Sequence, residues 1–296
     1  MTRRAWILFA AMAFLWGIPY LLIKVAVADL SPVTLVFLRT GIAAVLLLPL
    51  AASRGALRPL LPYWKAVLAY TLVEVTVPWL LLPSAERHLS SSLSGLLIAA
   101  VPLIGAVLGL AVGGDDRLDV RRVAGLVIGF IGVAALLGLD LSEIDAGSVA
   151  QVGLVTLGYA IGPMIVARRL SAAPSLGVVT VSLALTAAVW APLGVAQLPH
   201  SVPPPAVLAS VAVLAVLCTA VAFLVFFALI AEAGPLRAQA ITYVNPAVAL
   251  FLGVTLLGEP FTIGAVVGFV LIVAGLLLAT RRVASQPAAG SARSAA

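Results

Sequence analysis

AAVPLIGAVLGLAVGGD at residues 99–115 returns in similar form as YVNPAVALFLGVTLLGE at residues 243–259. Proline matches proline and an acidic residue matches an acidic residue at one common offset, in the pairs Pro102/Pro246 and Asp115/Glu259. Further matches at the same or a neighbouring offset extend along both halves of the chain: Pro19/Pro163, Gly109/Gly253, Gly114/Gly258, Gly125/Gly268 and Gly132/Gly275. The chain therefore consists of two repeats.

Both repeats are too apolar for a water-soluble domain. Of the 296 residues, 63% are hydrophobic and 9% are charged, whereas soluble domains carry about 25% charged residues. A helix that crosses a bilayer needs about 20 apolar residues. Segments of that length occur at 5–27, 32–51, 64–83, 92–112, 121–139, 148–168, 175–195, 206–230, 237–257 and 262–280. We therefore predict an all-α integral membrane protein with ten transmembrane helices.

The number of helices in each repeat predicts how the halves are oriented. Five crossings per repeat make the second copy enter the membrane from the opposite side, and such inverted repeats are typical of secondary transporters. We place the first repeat at 5–139 and the second at 148–280. The remainder, 281–296, is rich in Ala and Ser and is predicted to be a disordered cytoplasmic tail.

The net charge of +6 reflects topology rather than a nucleic-acid partner. If the N-terminus lies inside, most of the 17 Lys and Arg residues fall in inner loops, and only Lys24 and Arg87 fall outside. Cytoplasmic loops of membrane proteins carry this excess of basic residues. We therefore expect both termini in the cytoplasm, membrane lipid as a partner, and a bacterial inner membrane as the location.

Three segments resemble a known family: FLWGIPYLLIKVAV at 14–27, LSPVTLVFLRTGIAAVLLLPL at 30–50, and NPAVALFLGVTLLGEPFTIGAVVGFVLIVAGLLL at 245–278. They are similar to the drug/metabolite transporter superfamily, in its ten-helix branch built from two EamA-type repeats. One departure is Gly114-Asp115-Asp116, where the family has Gly-Glu. The resemblance implies export of amino acids, other metabolites or drugs, coupling to an ion gradient, and a cavity lined by helices 1–4 and 6–9. It implies no cofactor.

Glu74 is the first candidate for the transport chemistry. It falls near the middle of the third predicted span, where an ionised carboxylate costs about 3 kcal/mol on insertion scales. Carboxylates at that depth usually face a cavity and mark substrate or proton pathways. The alternative is a purely structural pair with Arg39 in the second span. The second repeat has Cys218 at the offset of Glu74, so a charge present in one repeat alone favours function.

Arg39 has two interpretations that the sequence leaves open. Its guanidinium group is suited to an anionic group of the substrate, such as a carboxylate, or to an ion pair that supports or gates the helices. Aromatic and polar residues are predicted to line the cavity around it: Trp16, Tyr20, Tyr70, Trp79, Tyr159, Gln239, Thr242, Tyr243 and Asn245. The alternative for the aromatic residues is anchoring at the membrane interface.

Prolines inside predicted spans indicate helix breaks or gating points at Pro19, Pro102, Pro163 and Pro246. A proline removes one backbone hydrogen bond and frees a carbonyl group, although a simple packing kink is equally consistent. Close helix contacts are predicted at GxxxG spacings, at Gly105/Gly109, Gly125/Gly129, Gly158/Gly162 and Gly264/Gly268. Whether such a face forms a homodimer is left open.

Two polar features near helix ends have structural interpretations. We predict that Glu259 caps the last helix and that the serines at 90–92 and 94 cap the fourth. Motifs of hydrolases, nucleotide-binding proteins and metalloproteases do not occur, and His88 and His200 fall in separate loops, so neither an enzyme nor a metal site is predicted.

The sequence therefore predicts a secondary active transporter that moves a small-molecule substrate, in the export direction, with protons as the coupling ion to test. Two alternatives from other classes remain at this point: a structural or sensory membrane subunit that carries no solute, and a membrane-embedded enzyme.

Overall fold

The computed structural model describes residues 1–111, 120–137 and 145–280, which are helical and contain no strand. Eight helices are long and apolar enough to cross a membrane, and two shorter apolar helices accompany them. In chain order they are α1 (Arg3–Ala26), α2 (Pro32–Ser53), α3 (Arg58–Glu86), α4 (Ser91–Gly109), α5 (Val123–Leu137), α6 (Ala146–Arg169), α7 (Ser175–Ala196), α8 (Pro205–Ala233), α9 (Gln239–Leu257) and α10 (Ile263–Leu278). The predicted tail, 281–296, lies outside the described residues.

The helices pack in pairs that join the two halves of the chain. The most extensive contacts are between α5 and α10 and between α2 and α7, and α4 packs on α9. Helix α3 packs on α6, and α8 packs on α1. These last two pairs are equivalent if α1 is matched to α6 and α3 is matched to α8, as the repeat predicts. The contacts of α3 with α6 and of α8 with α1 are therefore reciprocal between the two halves.

Three contacts between helix ends agree with helices that alternate in direction. The start of α1 meets the end of α8, where Thr2 Oγ1 donates to Glu232 Oε1 at 2.6 Å. The end of α1 meets the end of α3, where Lys24 Nζ donates to the carbonyl of Glu86 at 2.6 Å. The start of α7 approaches the end of α2, at Gly177 and the carbonyl oxygen of Ala56. Each contact joins ends that an up-and-down arrangement places on the same side.

Glycines make the closest helix approaches. A Cβ atom at Gly132 in α5 would lie 2.7 Å from the carbonyl oxygen of Gly268 in α10, and the reverse distance is the same. Gly275 of α10 similarly approaches the backbone of Gly125 and Gly129. The predicted glycine contacts in α5 and α10 are therefore confirmed, since only a residue without a side chain allows this spacing.

The predicted contact through α4 is not formed at Gly105 and Gly109 within the described residues, and the third glycine of this spacing, Gly113, lies outside them. No other described atom lies within 4 Å of the place that a Cβ would occupy at Gly105 or Gly109. This face of α4 has open space beside it. GxxxG spacing permits close packing, but the rotation of the helix decides whether a neighbour is present.

Three of the four predicted helix breaks coincide with interruptions of regular structure. In α1 the helix ends at Gly17 and starts again at Pro19, and in α4 it stops at Ile98 and starts again at Val101, next to Pro102. Helix α9 begins as a 3₁₀ segment, Gln239–Tyr243, and becomes α-helical at Asn245 before Pro246. Each interruption releases backbone groups from the helix ladder.

Pro163 does not break its helix. Helix α6 runs continuously from Ala146 to Arg169, and Pro163 is exposed on it. An interior proline removes one hydrogen bond and can bend a helix without ending it. The prediction of a break at Pro163 is therefore wrong.

Two π-helical turns, which the sequence analysis did not predict, occupy matching places in the halves. They are Thr71–Thr76 in α3 and Val216–Val221 in α8. One cause is visible in α3, where Pro78 has no N–H to donate to the carbonyl group of Glu74 four residues earlier. The N–H of Val77 bonds to Leu72 O, five residues back, which is the π-helical pattern.

Candidate functional site

Glu74 lies within the π-helical turn of α3 and faces α6. Its Oε2 atom is buried and has no hydrogen-bond partner among the described residues. A Cβ atom at Gly162 of α6 would overlap that oxygen. Gly158, one turn earlier on α6, likewise makes room for the carbonyl group of Val73. The predicted Gly158/Gly162 contact is therefore confirmed, and it provides the space that Glu74 occupies.

Helix α7 holds the π-helical turn of α3 through three hydrogen bonds. Thr71 Oγ1 donates to Ser182 Oγ at 2.8 Å, and the hydroxyl groups of Thr76 and Thr186 are 2.8 Å apart. Trp190 Nε1 donates to the carbonyl oxygen of Thr76 at 3.2 Å. Because each end of the turn is tied to α7, the position of Glu74 between the ends is well defined.

Arg39 is buried, with 8% of its surface exposed, and binds the second π-helical turn. Its Nε atom donates to Thr219 Oγ1 at 2.9 Å, and its guanidinium carbon lies 4.0 Å from the centre of the Trp79 ring. No ion pair joins it to Glu74 among the described residues. The structural alternative of an Arg39–Glu74 pair is therefore not formed in this structure.

The matching π-helical turns change the equivalence between the halves. Aligning Thr71–Thr76 with Val216–Val221 places Thr219 opposite Glu74, one residue from the Cys218 that the repeat offset indicated. Thr219 Oγ1 also donates to Leu214 O, five residues back, at 2.7 Å. Thr219 is therefore a candidate that sequence reasoning missed.

Three predicted tyrosines complete this arrangement. Tyr159 on α6 interacts electrostatically with Glu74 and Arg39, and Tyr70 on α3 interacts with Glu74 and Tyr159. Tyr20 on α1 interacts with Tyr159 and Arg39. We name this set the central cluster; its members are Glu74, Arg39, Trp79, Tyr20, Tyr70, Tyr159 and Thr219. It contains one carboxyl group without a partner, one guanidinium group and three phenols.

The remaining predicted wall residues have other surroundings. Trp16 on α1 packs against two aromatic side chains of α8. The centre of its ring lies 5.8 Å from that of Phe223 and 4.8 Å from that of Phe226. Gln239 is exposed, and Tyr243 is half-buried. Thr242 Oγ1 donates to the carbonyl oxygen of Gln239 at 2.9 Å.

Asn245 ties α9 to α1. In the side-chain amide orientation that fits its hydrogen-bonding surroundings, the nitrogen of Asn245 donates to Ile241 O and to Ala13 O, each at 3.1 Å. Nearby, a Cβ at Gly17 would lie 2.5 Å from Val248 Cβ, so the two helices cross closely at this point. This geometry gives Asn245 a structural contact between the two halves.

A second set of polar groups surrounds the end of α3. Glu86 is 0% exposed, and neither of its carboxylate oxygens has a hydrogen-bond partner among the described residues. Lys24 was expected to extend to the outer surface, but its Nζ donates to the carbonyl oxygens of Glu86 and Leu89, at 2.6 and 2.7 Å. Sequence reasoning missed Glu86 because the third span was predicted to end at residue 83, which left this carboxylate in a loop.

Glu259 caps α4 rather than the last helix. Its Oε1 accepts from Ser91 N at 2.7 Å and its Oε2 accepts from Ser92 N at 2.9 Å. Ser90 Oγ accepts from Leu93 N at 3.1 Å, so the predicted serine cap is confirmed. Helix α4 has free N–H groups at its start, and a carboxylate is favoured there by the helix dipole. We name Lys24, Glu86, Ser91, Ser92, Ser94 and Glu259 the end cluster.

Within the described ranges, no three His, Cys, Asp or Glu side chains group closely enough to hold a metal ion.

Known proteins with similar sequences are membrane transporters. The chain matches the EamA-like transporter family over residues 3–138 and 149–281. It is 26% identical to the uncharacterized transporter YvbV of Bacillus subtilis, covering 97% of this chain and 95% of that protein. It is 24% identical to an uncharacterized transporter of Archaeoglobus fulgidus, with coverages of 94% and 99%.

Two further comparisons agree. The chain is 25% identical to the uncharacterized inner membrane transporter YedA of Escherichia coli K12, covering 84% of this chain and 81% of that protein. A solved crystal structure superposes with a TM-score of 0.67 at 20% identity, covering 95% of this chain and 97% of the other. The structural match shows a shared fold.

Proposed function

Because this chain belongs to the EamA-like transporter family, we propose that it is a secondary active transporter that exports a small molecule by alternating access. It is a multi-pass plasma-membrane protein, and its relatives support a transporter rather than an enzyme. We extend this to ten membrane crossings in two inverted repeats, at 5–139 and 148–280, with both termini in the cytoplasm. The distribution of Lys and Arg supports that orientation.

The observation that carries the proposal is the state of Glu74. Its Oε2 atom is buried between α3 of the first half and α6 of the second and has no hydrogen-bond partner among the described residues, while the side chain as a whole is half-buried. An ionised, unpaired carboxylate is costly at this depth. Protonation removes that cost, and exposure to water in an open state removes it as well. Glu74 can therefore exchange a proton when the halves move.

The surrounding helices offer places where that movement can occur. The π-helical turns lie at matching positions of α3 and α8, and such turns occur frequently at functional sites. The interruptions near Pro19, Pro102 and Pro246 add irregular backbone in α1, α4 and α9. In transporters, the substrate and coupling ions bind near discontinuous helices at the interface of the repeats. The central cluster is the proposed site.

The test requires a substrate, which a thermal-shift screen of amino acids, polyamines, nucleosides and cationic drugs can provide. Transport is then measured in proteoliposomes with and without a pH gradient, for the wild type and for Glu74→Gln. The control is Glu232→Gln, which alters a carboxylate paired with Thr2 and Arg4 at the end of α8. We expect the gradient to drive transport by the wild type and the control but not by Glu74→Gln.

The results separate the parts of the proposal. Normal transport by Glu74→Gln at every pH, with the same response to the gradient, would show that Glu74 does not couple transport to protons. Uptake by the wild type that ignores the pH gradient would indicate another coupling ion. A protein that neither binds nor moves any compound of these classes would favour a membrane subunit without transport activity.

A further inference from the structure

The end cluster contains most of the unsatisfied buried polar atoms in the described part of the chain. They are Glu86 Oε1, Glu86 Oε2, Ser91 Oγ, Ser92 Oγ and Ser94 Oγ. Buried polar atoms in proteins almost always have a hydrogen-bond partner, and an unpaired one often marks a missing water or ion. All five atoms are oxygens, and they lie where α3 ends and α4 begins. This concentration calls for a ligand that oxygen atoms can bind.

The positive groups of the end cluster do not neutralise Glu86. Among the described residues, no Lys, Arg or His nitrogen lies within 4.0 Å of its carboxylate. Lys24 on α1 uses its ammonium group on two backbone carbonyls. Arg39 on α2 interacts with Glu86 at longer range but donates its Nε to Thr219. Neither cation forms an ion pair with the carboxylate.

The other groups that face Glu86 add no positive charge. Glu259, after α9, is negative and opposes ionisation of Glu86. Tyr20 on α1 and Tyr159 on α6 are neutral phenols that interact with it. Its neighbours Arg87 and His88 are exposed on the surface. An ionised Glu86 is therefore a buried charge without a nearby counterion, which is unfavourable.

We propose that Glu86 is a binding site for one monovalent cation, a proton or a sodium ion, separate from Glu74. A proton would bind one carboxylate oxygen and leave a neutral carboxyl group, with no other bond broken. A sodium ion would be held by the carboxylate, since hard cations prefer oxygen ligands. Glu74 and Glu86 are about 18 Å apart along α3 at the rise of an α-helix, so the two carboxyl groups form distinct sites.

The position of this site links it to both halves of the chain. Glu259 belongs to the second half, and it binds the backbone of Ser91 and Ser92 in the first half. A cation at Glu86 lowers the repulsion between Glu86 and Glu259 and therefore stabilises this contact. The use of the site in coupling rests on the proposed transport function, but cation binding itself does not.

The experiment measures thermal unfolding of the full-length protein in detergent, at mildly acidic and mildly alkaline pH, with sodium chloride or choline chloride. The variants are Glu86→Gln, which mimics the neutral carboxyl group, and Glu232→Gln as a control at a carboxylate paired with Thr2 and Arg4. We expect the bound cation to raise the melting temperature of the wild type by about 5 °C. Glu232→Gln should keep this response, and Glu86→Gln should lose it.

A bound proton and a bound sodium ion give different results in this experiment. A response to sodium at alkaline pH that choline does not reproduce identifies a sodium site, and a response to acid alone identifies a proton site. A wild type that responds to neither, or a Glu86→Gln variant that responds as the wild type does, would overturn the proposal. If Glu86→Gln does not fold, Glu86→Met, which also lacks a carboxyl group, replaces it, and an unchanged response in that variant would also overturn the proposal. No transport assay is involved, so a failure of the Glu74 mechanism leaves this test intact.

Discussion

Replacing Gly162 by alanine tests whether α6 holds the carboxyl group of Glu74. A Cβ atom at this position would overlap Glu74 Oε2, and it would lie 2.6 Å from Cδ and 3.0 Å from Cβ of the same side chain. Overpacking of this kind costs about 1–3 kcal/mol. A loss of about 2 kcal/mol lowers the melting temperature of a protein this size by roughly 4–8 °C. We expect Gly162→Ala to show that loss and to impair transport, because Glu74 is displaced.

A second background assigns the effect to Glu74 itself. Glu74→Ala removes Cδ and both carboxylate oxygens, and it leaves the Cβ of residue 74 at 3.0 Å from a Cβ at residue 162. We expect Gly162→Ala to cost less in that background than in the wild type, because the overlap with the carboxyl group is gone. The difference between the two backgrounds measures the contact between Gly162 and the carboxyl group.

The matched control is Gly153→Ala on the same helix. No other described atom lies within 4 Å of its Cβ position, and alanine is favoured over glycine in a helix by about 1 kcal/mol. The assay is thermal unfolding of the purified single and double variants. If Gly162→Ala is as stable as Gly153→Ala, or costs the same with and without the Glu74 carboxyl group, the placement of Glu74 against α6 is wrong.

Three further predictions address other contacts. Thr219→Val removes the acceptor of Arg39 Nε and should lower the free energy of unfolding by about 1.5–3 kcal/mol. The control Thr255→Val, at an exposed site, should lower it by less, and equal losses would contradict the Arg39 contact. Glu259→Gln should lower the free energy of unfolding by about 1 kcal/mol, because it weakens the cap of α4. Glu232→Gln should lower it by less, because the ion pair of Glu232 is exposed. A larger loss for Glu232→Gln than for Glu259→Gln would refute the cap. The Ser148 hydroxyl and N–H donate to Asp145 and hold the pKa of this carboxyl below its usual value. Its stabilisation of the start of α6 is therefore present at neutral pH and lost as the pH falls through that lowered value. Amide hydrogen exchange at residues 146–149, measured relative to the intrinsic exchange rate at each pH, should therefore increase with acid in the wild type. The same ratio should not change with acid in Asp145→Ala.

The helices and their repeat were predictable because their signals are local. A run of about 20 apolar residues indicates a membrane span whichever helices pack against it. A proline indicates a point where the backbone hydrogen bonding of the helix is weakened. The limit of such signals appears at Pro163, where α6 continues, and at Gly105 and Gly109, which have no close neighbour among the described residues. The same residue type breaks a helix or builds a contact in one place and does neither in another.

The π-helical turns show a similar limit. Pro78 gives a local reason for the turn in α3, but no proline follows the matching turn in α8, where Thr219 bonds to Leu214 O instead. That shift of one residue moves the equivalent of Glu74 from Cys218 to Thr219. Alignment by the repeat offset and alignment by the π-helical turns therefore give different equivalents of Glu74.

The sequence by itself determined that this protein is an all-helical membrane protein of two EamA-type repeats, because hydropathy and repeat spacing add up over each segment independently. Only the tertiary structure decided which polar groups meet. It separated Arg39 from Glu74, brought Glu259 to α4, and buried Glu86 without a partner. The physical reason is that such contacts depend on how far each helix is rotated about its axis and how closely the helices approach. Glycines such as Gly162 set that approach, and their effect depends on residues distant in the chain.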